Sequence, residues 1–399
     1  MAEDAKIPRE IDWDPRASEV LENQRSAYDA MRGRCPVAHS DYFGWSLFKY
    51  ADVVAVSADP ATFRNGVSSI EEIVAAEHEG REVGIPLGLD PPVHTTYRAM
   101  LNPYFSTARM KAFEPTTRQI AIDLLQPFLA AGHGNAVEAY TDPYPVQSLC
   151  ELIGWERNDW RQIKQWTTDS ERGVVRRDKE LLDRVEKEWN AYIVDVVRKR
   201  RAQPREDITS WMLEQEKEGR PLSDATLTGI LRLLLEAGHG TTTASLGICL
   251  LNLAQDQELQ QRLRSDPTAI MRAIEEILRV DGPLVAMRRR AAKDAEIGGR
   301  QICAGDQLWL MYIAADRDPD AFPNADKLDI DRKPNRQLVW GTGIHTCLGI
   351  GLAKLELRIA LEEMLARTKN FYLEPGAQIR RFRFPGNGPR TLPLVIEAA

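Results

Sequence analysis

The stretch from Leu222-Ser223 to Leu253 limits what this chain can fold into. It reads as one long helix, apolar nearly all round, with Leu227, Ile230, Leu231, Leu233, Leu234, Leu235, Leu246, Ile248, Leu250 and Leu251 leaving no polar face. A helix of that kind has to be buried in a large core. Its middle, Ala237-Gly238-His239-Gly240-Thr241-Thr242-Thr243, contradicts its ends. Each glycine costs about 1 kcal/mol relative to alanine in a helix, and a run of threonines is also unfavourable. Such a penalty at the centre of a buried helix predicts a local bulge or groove, used either for close packing or for holding something small against the backbone.

A second stretch, Trp340-Gly341-Thr342-Gly343-Ile344-His345-Thr346-Cys347-Leu348-Gly349, joins a glycine-rich turn to an amphipathic helix carrying Leu352, Leu355, Leu357, Ile359, Leu361, Met364 and Leu365. It presents one sulfur at a helix N-terminus, where the macrodipole and free N–H groups favour a thiolate. The glycines leave room above the sulfur for a flat cofactor. The residues alone also admit a structural cysteine buried in a turn.

The 399 residues are 43% hydrophobic and 28% charged, an ordinary globular composition, and the net charge of -7 argues against nucleic acid as a partner. No apolar run approaches the roughly 18 residues of a membrane span. The polar lead from Met1 to Asp14 has no signal or anchor pattern, so a cytoplasmic protein without a membrane partner is expected. Five scattered cysteines (Cys35, Cys150, Cys249, Cys303, Cys347) suit a reducing compartment.

In chain order, Asp14-Pro15 predicts a helix to about Met31, Tyr42–Lys49 a strand and Tyr50–Ala58 a short helix. Residues 64 to 92, broken by Asn65-Gly66, Gly80, Gly84, Pro86, Gly88 and Asp90-Pro91-Pro92, predict an irregular loop. A helix from about His94 places His94 and Arg98 on one face, which suits a pair of carboxylates. Residues 109 to 202 read as mostly helical, Ala269–Val280 as a helix, Pro283–Met287 as the approach to a strand, and Phe371–Leu373 and Thr391–Ile396 as strands. No repeat or linker divides the chain, so one domain over residues 1–399 is expected.

The cysteine loop resembles the haem-binding loop of the cytochrome P-450 superfamily, Phe-Gly-x-Gly-x-His-x-Cys-x-Gly, with Trp340 in the place of Phe and Gly341, Gly343, His345, Cys347 and Gly349 at fixed positions. The resemblance implies the soluble bacterial type: a mainly α fold with small β sheets, the long helix lying over haem b. In that family the thiolate, here Cys347, is the axial iron ligand and pushes electron density that favours O–O cleavage. The middle of the long helix resembles the family's oxygen-binding motif, Ala-Gly-x-(Asp/Glu)-Thr-Thr. Ala237, Gly238, Thr241 and Thr242 match, but Gly240 stands where the acid belongs. Protons for bond scission then come through water at Thr241, through His239, or from a substrate hydroxyl.

By the same resemblance His94, Arg98 and Arg289 hold the haem propionates; Arg290 is the neighbour that could replace Arg289. Glu276 and Arg279, a Glu-x-x-Arg pair, tie their helix to the chain beneath the haem. The irregular loop lids the substrate pocket, with Ile70, Ile73, Val83 and Ile85 available to line it, alongside Leu234, Val285, Ala286 and Phe384. The implied reaction inserts one atom of dioxygen into a small hydrophobic or aromatic molecule, as hydroxylation or O-dealkylation. Electrons derived from NAD(P)H arrive from a separate ferredoxin or flavodoxin with its reductase, since no redox domain is expected in the chain, and basic residues near Cys347 attract that acidic partner. Gly240 keeps a second reading open, peroxide-driven or non-oxygenating haem-thiolate chemistry. A haem sensor or carrier is a third, for which Thr241 in a groove has no use.

Overall fold

The computed structural model describes residues 9–78, 83–217, 222–382 and 384–399. They form two compact units: Met1–Gly66 with Glu275–Cys347 and Phe382–Gly388, and Val67–Ile274 with Leu348–Arg381 and Pro389–Ala399.

The first unit is built on a five-stranded sheet in the order Val37–Ser40, Gly44–Leu47, Gln307–Leu310, Met287–Ala291, Phe63–Arg64. Gly44–Leu47 and Gln307–Leu310 run parallel and the other pairs antiparallel. Its apolar side chains close one core around Leu47, Val53, Leu308 and Leu310 and a second around Trp13, Tyr28, Phe43 and Phe48. The expected first helix is two helices, Ser18–Glu22 and Gln24–Arg34, because Asn23 leaves the helical region at φ -133. Tyr50–Ala58 is helical as read, and the expected strand at Tyr42–Lys49 is the shorter Gly44–Leu47.

The second unit is a helical assembly with a three-stranded antiparallel sheet, His133–Asn135, Pro393–Ala398 and Thr368–Leu373. Its axis is the helix Asp224–Gln255. Ser223 starts that helix by accepting from Thr226 N at 3.0 Å, the N-cap role that serines fill. At 32 residues it is about 48 Å long. The expected bulge is absent: the helix runs unbroken through Gly238 and Gly240. Its groove comes from missing side chains and not from a break in the backbone.

The stretch 64–92, expected to be irregular throughout, contains a helix, Ile70–His78; Gly80 lies outside the described residues. The reason is a capping exchange. Ser69 Oγ accepts from Glu72 N at 3.1 Å and Glu72 Oε2 accepts from Ser68 N at 2.7 Å, so the Ser-x-x-Glu spacing starts a helix despite the flanking breakers. Trp166 and Trp189 stack at 6.0 Å with Trp189 fully buried, which makes them core. Among the described residues no helix is long and apolar enough to cross a membrane.

Candidate active site

The cysteine loop is fixed by its own backbone. Gly341 N donates to Leu338 O and Cys347 N to Trp340 O, each at 2.8 Å. Gly343–His345 makes one 3-10 turn, which Thr346 closes by donating from Oγ1 to Gly343 O at 2.8 Å. Gly341 and Gly343 sit at φ +69 and +71, a region glycine enters without the Cβ penalty. At Gly343 a Cβ would also lie 2.5 Å from Ser57 O. Gly349 precedes the helix Ile350–Arg367, and a Cβ there would meet nothing within 4 Å. Cys347 is exposed, whereas Cys150 and Cys249 are buried. Burial pushes the Cys150 thiol up to about 12, so that sulfur is inert as a nucleophile or ligand.

The loop is anchored from below by a buried ionic cluster. Glu276 and Arg279, on the helix Ile270–Val280, form a two-bond pair at 2.8 Å each, with side chains 1% and 0% exposed. Arg279 also donates to Asp316 O and Ala325 O. Glu276 accepts further bonds from Asp329 N, Arg332 and Asn335. Burial opposes ionisation of Glu276, but the bonds from Arg279, Asp329 N and Arg332 outweigh it and hold the carboxyl below its usual range. Asp316 Oδ1 then accepts Leu338 N at 2.7 Å, two residues before the loop. Arg332, Asn335 and Asp316 escaped the sequence reading because they lie in the Pro- and Asp-rich meander, where spacing carries no period.

Strand alternation separates the three consecutive arginines. Arg288 and Arg290 face solvent and Arg289 faces inward, 3% exposed. Arg289 donates to Arg288 O at 2.8 Å, while Arg290 reaches Gly305 O. Val285 and Ala286 are buried in the aromatic cluster with Trp13, Phe43 and Phe48, and Phe384 lies against Phe43 with ring centroids 4.5 Å apart and planes tilted by 40°.

In the second unit, His94 and Arg98 share the helix Val93–Leu101, with His94 4% exposed. Burial and then the Arg98 charge lower the His94 pKa, against the pull of Asp90. On the central helix, Ala237 and Gly240 are exposed and Thr241 is half-buried, whereas Leu235, His239 and residues 242–251 are buried. Positions 237, 240 and 241 share one face, so the helix carries one open stripe. Thr241 Oγ1 donates to Ala237 O at 2.7 Å. A Cβ at Gly240 would meet nothing within 4 Å, whereas one at Gly238 would press on Leu149 at 3.1 Å. Thr242 is buried, 4% exposed. Of the expected lining residues, Ile85 is 2% exposed and Leu234 half-buried; Gly84 beside Ile85 packs toward Leu233 of the same helix. His239 turns away from the stripe, with Nε2 2.9 Å from Asp142 Oδ1. Asp142 and its second partner, Lys164, gave no sequence signal.

Haem fits this donor set. Among the described residues no group of three His, Cys, Asp or Glu side chains could hold a bare metal ion. A lone exposed thiol suits an iron that brings its other ligands with it. In the unit that carries Cys347, the buried cation of Arg289 suits a propionate; in the other unit, the stripe at Ala237, Gly240 and Thr241 leaves a helix face uncovered.

A family model described as cytochrome P-450 matches residues 155–384. Linalool 8-monooxygenase of Pseudomonas putida is 32% identical over 364 residues, 88% of this chain and 89% of that protein. Vitamin D(3) 25-hydroxylase of Pseudonocardia autotrophica is 32% identical, covering 89% of each. Among solved structures, CYP109E1 from Bacillus megaterium in complex with testosterone superposes at TM-score 0.85, with 28% identity over 94% of this chain and 98% of that one. The matched span and the relatives agree with the cysteine loop and the central helix: the chain belongs to the cytochrome P-450 family and is a monooxygenase of the bacterial type.

Proposed function

We propose that this protein inserts one atom of dioxygen into a small apolar organic molecule, with Cys347 as the thiolate ligand of haem b. The family implies the haem. When bound, haem supplies dioxygen activation under the electron push of the thiolate. The reaction balances as substrate C–H, dioxygen, two electrons and two protons giving the alcohol and one water. The electrons come singly from an external ferredoxin or flavodoxin whose reductase draws on NAD(P)H. Where the hydroxylated carbon bears an ether oxygen, the product collapses to an aldehyde or ketone and a free alcohol, the O-dealkylation outcome.

The observation that carries this reading is the exposed Cys347 in a loop fixed on both sides by backbone bonds and anchored by a buried ion cluster. Arg289, His94 and Arg98 are the groups for the propionates, with His345, Trp340, Gly341 and Gly349 shaping the sulfur side. Thr241 carries its hydroxyl on the open stripe, donating to Ala237 O, and would be the side chain that bonds dioxygen there, while Ala237, Gly238 and Gly240 keep larger side chains out of the way. Glu276 and Arg279 act through the loop they support. The names of the linalool and vitamin D(3) relatives support an apolar substrate, and Leu234, Ile85 and Phe384 are the side chains we assign to contact it. Val285 and Ala286 contribute through the segment that leads into the strand Met287–Ala291.

The test is the optical spectrum of the reduced protein under carbon monoxide. A strongly red-shifted Soret band that disappears in Cys347→Ser supports the reading; a band unchanged by that substitution refutes it. Peroxide-driven chemistry is the second reading, favoured by the side-chain-free space at Gly240. Efficient product formation with peroxide and poor formation with reductase would select it. Turnover that is insensitive to salt would count against an electrostatically docked partner.

A further inference from the structure

We infer that Arg64, Arg288 and Arg290, on the outward face of the five-stranded sheet, take the ionised carboxylate of an apolar acid, and that the substrate of the oxygenation belongs to that class. The inference rests on the monooxygenase reading above and narrows its substrate; the binding site stands on the sheet alone.

Strand alternation brings these side chains together. Arg64 and Arg290 are register partners across the antiparallel pair Phe63–Arg64 and Met287–Ala291, and Arg288 is the register partner of Trp309. Partners directly opposite stand about 5 Å apart at Cβ. Arg288 lies two residues, about 7 Å, from Arg290 on the same face. All three arginines are exposed. Arg289 between them is buried on the other face, so the patch is separate from the cation assigned to a propionate.

Like charges directly opposite in a sheet are destabilising, and here no acid offsets them. Among the described residues none of the three pairs with a carboxylate, and the one side-chain bond in the group runs from Arg290 Nη1 to Gly305 O at 3.1 Å. Acids close by in the sequence have other partners: Asp59 accepts Thr62 N, Asp294 accepts Ala304 N, and Asp306 pairs with Arg9. Other arginines of the same unit are matched, Arg32 and Arg317 to Asp29 and Arg300 to Asp12. The chain carries 59 acidic against 52 basic side chains. Three unmatched cations on one face therefore run against the overall charge.

An apolar surface lies beside them. Trp309 shares their face, across from Arg288. Its ring centroid is 5.0 Å from that of Phe384 and 5.1 Å from that of Phe43. Trp309 and Phe384 are half-buried and Phe43 is buried. Rings beside guanidinium groups with free N–H donors fit one kind of ligand, an apolar body that ends in an oxyanion. A carboxylate matches the guanidinium fork with two parallel bonds, and the rings take the apolar part. Phe384, assigned above to contact substrate, belongs to this platform, which ties the patch to the reaction.

The test uses the haem-loaded protein with two apolar acids, dodecanoate and naphthalene-2-acetate, each against its methyl ester. Calorimetry gives Kd, and the optical spin-state shift reports seating near the haem. At low salt at least one acid should bind tenfold or more tightly than its ester, the scale of one hydrogen bond to a charged group. The double variant Arg288→Ala/Arg290→Ala should raise the Kd of that acid at least tenfold and leave that of the ester within twofold. Salt at about 0.5 M should weaken the acid in wild type and spare the ester, because exposed charges are screened. Lys369→Ala, which removes an exposed cation of the other unit, should leave the acid's Kd as in wild type. The same acid should shift the spin state and be oxidised with the reductase system. Acids that bind no more tightly than their esters, or equally well to the double variant, overturn the inference. Binding that depends on the arginines but gives neither spin shift nor oxidised product overturns the substrate assignment. A wild type without the thiolate carbon monoxide band would instead remove the monooxygenase reading, while calorimetry would still decide the site.

Discussion

Replacing Glu356 by glutamine should change how stability depends on pH. Glu356 lies on the helix that follows the cysteine loop, 1% exposed, and its Oε1 has no hydrogen-bond partner among the described residues. Burial pushes its pKa from 4.5 up to about 8, with only a bond from Ser148 pulling the other way. The folded protein therefore keeps a proton that the unfolded chain has lost above about pH 4.5. A raised acid pKa means that the native state binds more protons, so stability is full below the unfolded value and declines as pH rises toward about 8. The slope is about 1.4 kcal/mol per pH unit for one proton. Between pH 5.5 and 7.5 the wild type should lose about 2.5 kcal/mol through this group, a little under the full slope because the folded carboxyl begins to ionise near pH 7.5. Glu356→Gln, neutral throughout, should not. Urea unfolding of both proteins at the two pH values measures the difference. The variant should gain about 2–3 kcal/mol relative to wild type on going to pH 7.5. Parallel pH dependences would refute the claim that Glu356 is protonated in the fold.

Arg279→Leu strands the Glu276 carboxylate in the core without its two-bond partner, and should cost about 3–5 kcal/mol with loss of the thiolate carbon monoxide band; an unchanged band would deny that this pair supports the loop. Arg289→Ala should lower haem retention in a dialysis competition against apomyoglobin, whereas Arg290→Ala, on the outward side of the same strand, should not. Gly343→Ala should destabilise clearly more than Gly299→Ala in thermal unfolding. Both stand at positive φ, which costs roughly 1–2 kcal/mol, but only the Cβ at 343 would also strike a backbone oxygen, that of Ser57; equal losses would refute the close approach.

Local chemistry fixed much of this protein. The apolar run around Gly238 and Gly240 had to be a buried helix because no other element hides so many leucines, and Ser223 begins it as its side chain dictates. The glycines of the cysteine loop announce their turn because Gly341 and Gly343 need positive φ. Strand alternation separates Arg289 from its neighbours as soon as the strand's register is known. The helix Ile70–His78 was also written locally, in Ser69 and Glu72, but the surrounding glycines and prolines drowned its signal.

Partners brought together from far apart in the chain were decided only by tertiary structure. His239 meets Asp142 across 97 positions and Glu276 meets Arg332 across 56; no periodicity encodes either distance. The bulge or groove expected at the glycines proved to be an absence of side chains on an unbroken helix. Whether a missing Cβ opens a passage or is filled by a neighbour depends on what packs opposite. Leu149 closes Gly238 and nothing closes Gly240, a difference between two glycines that only packing creates.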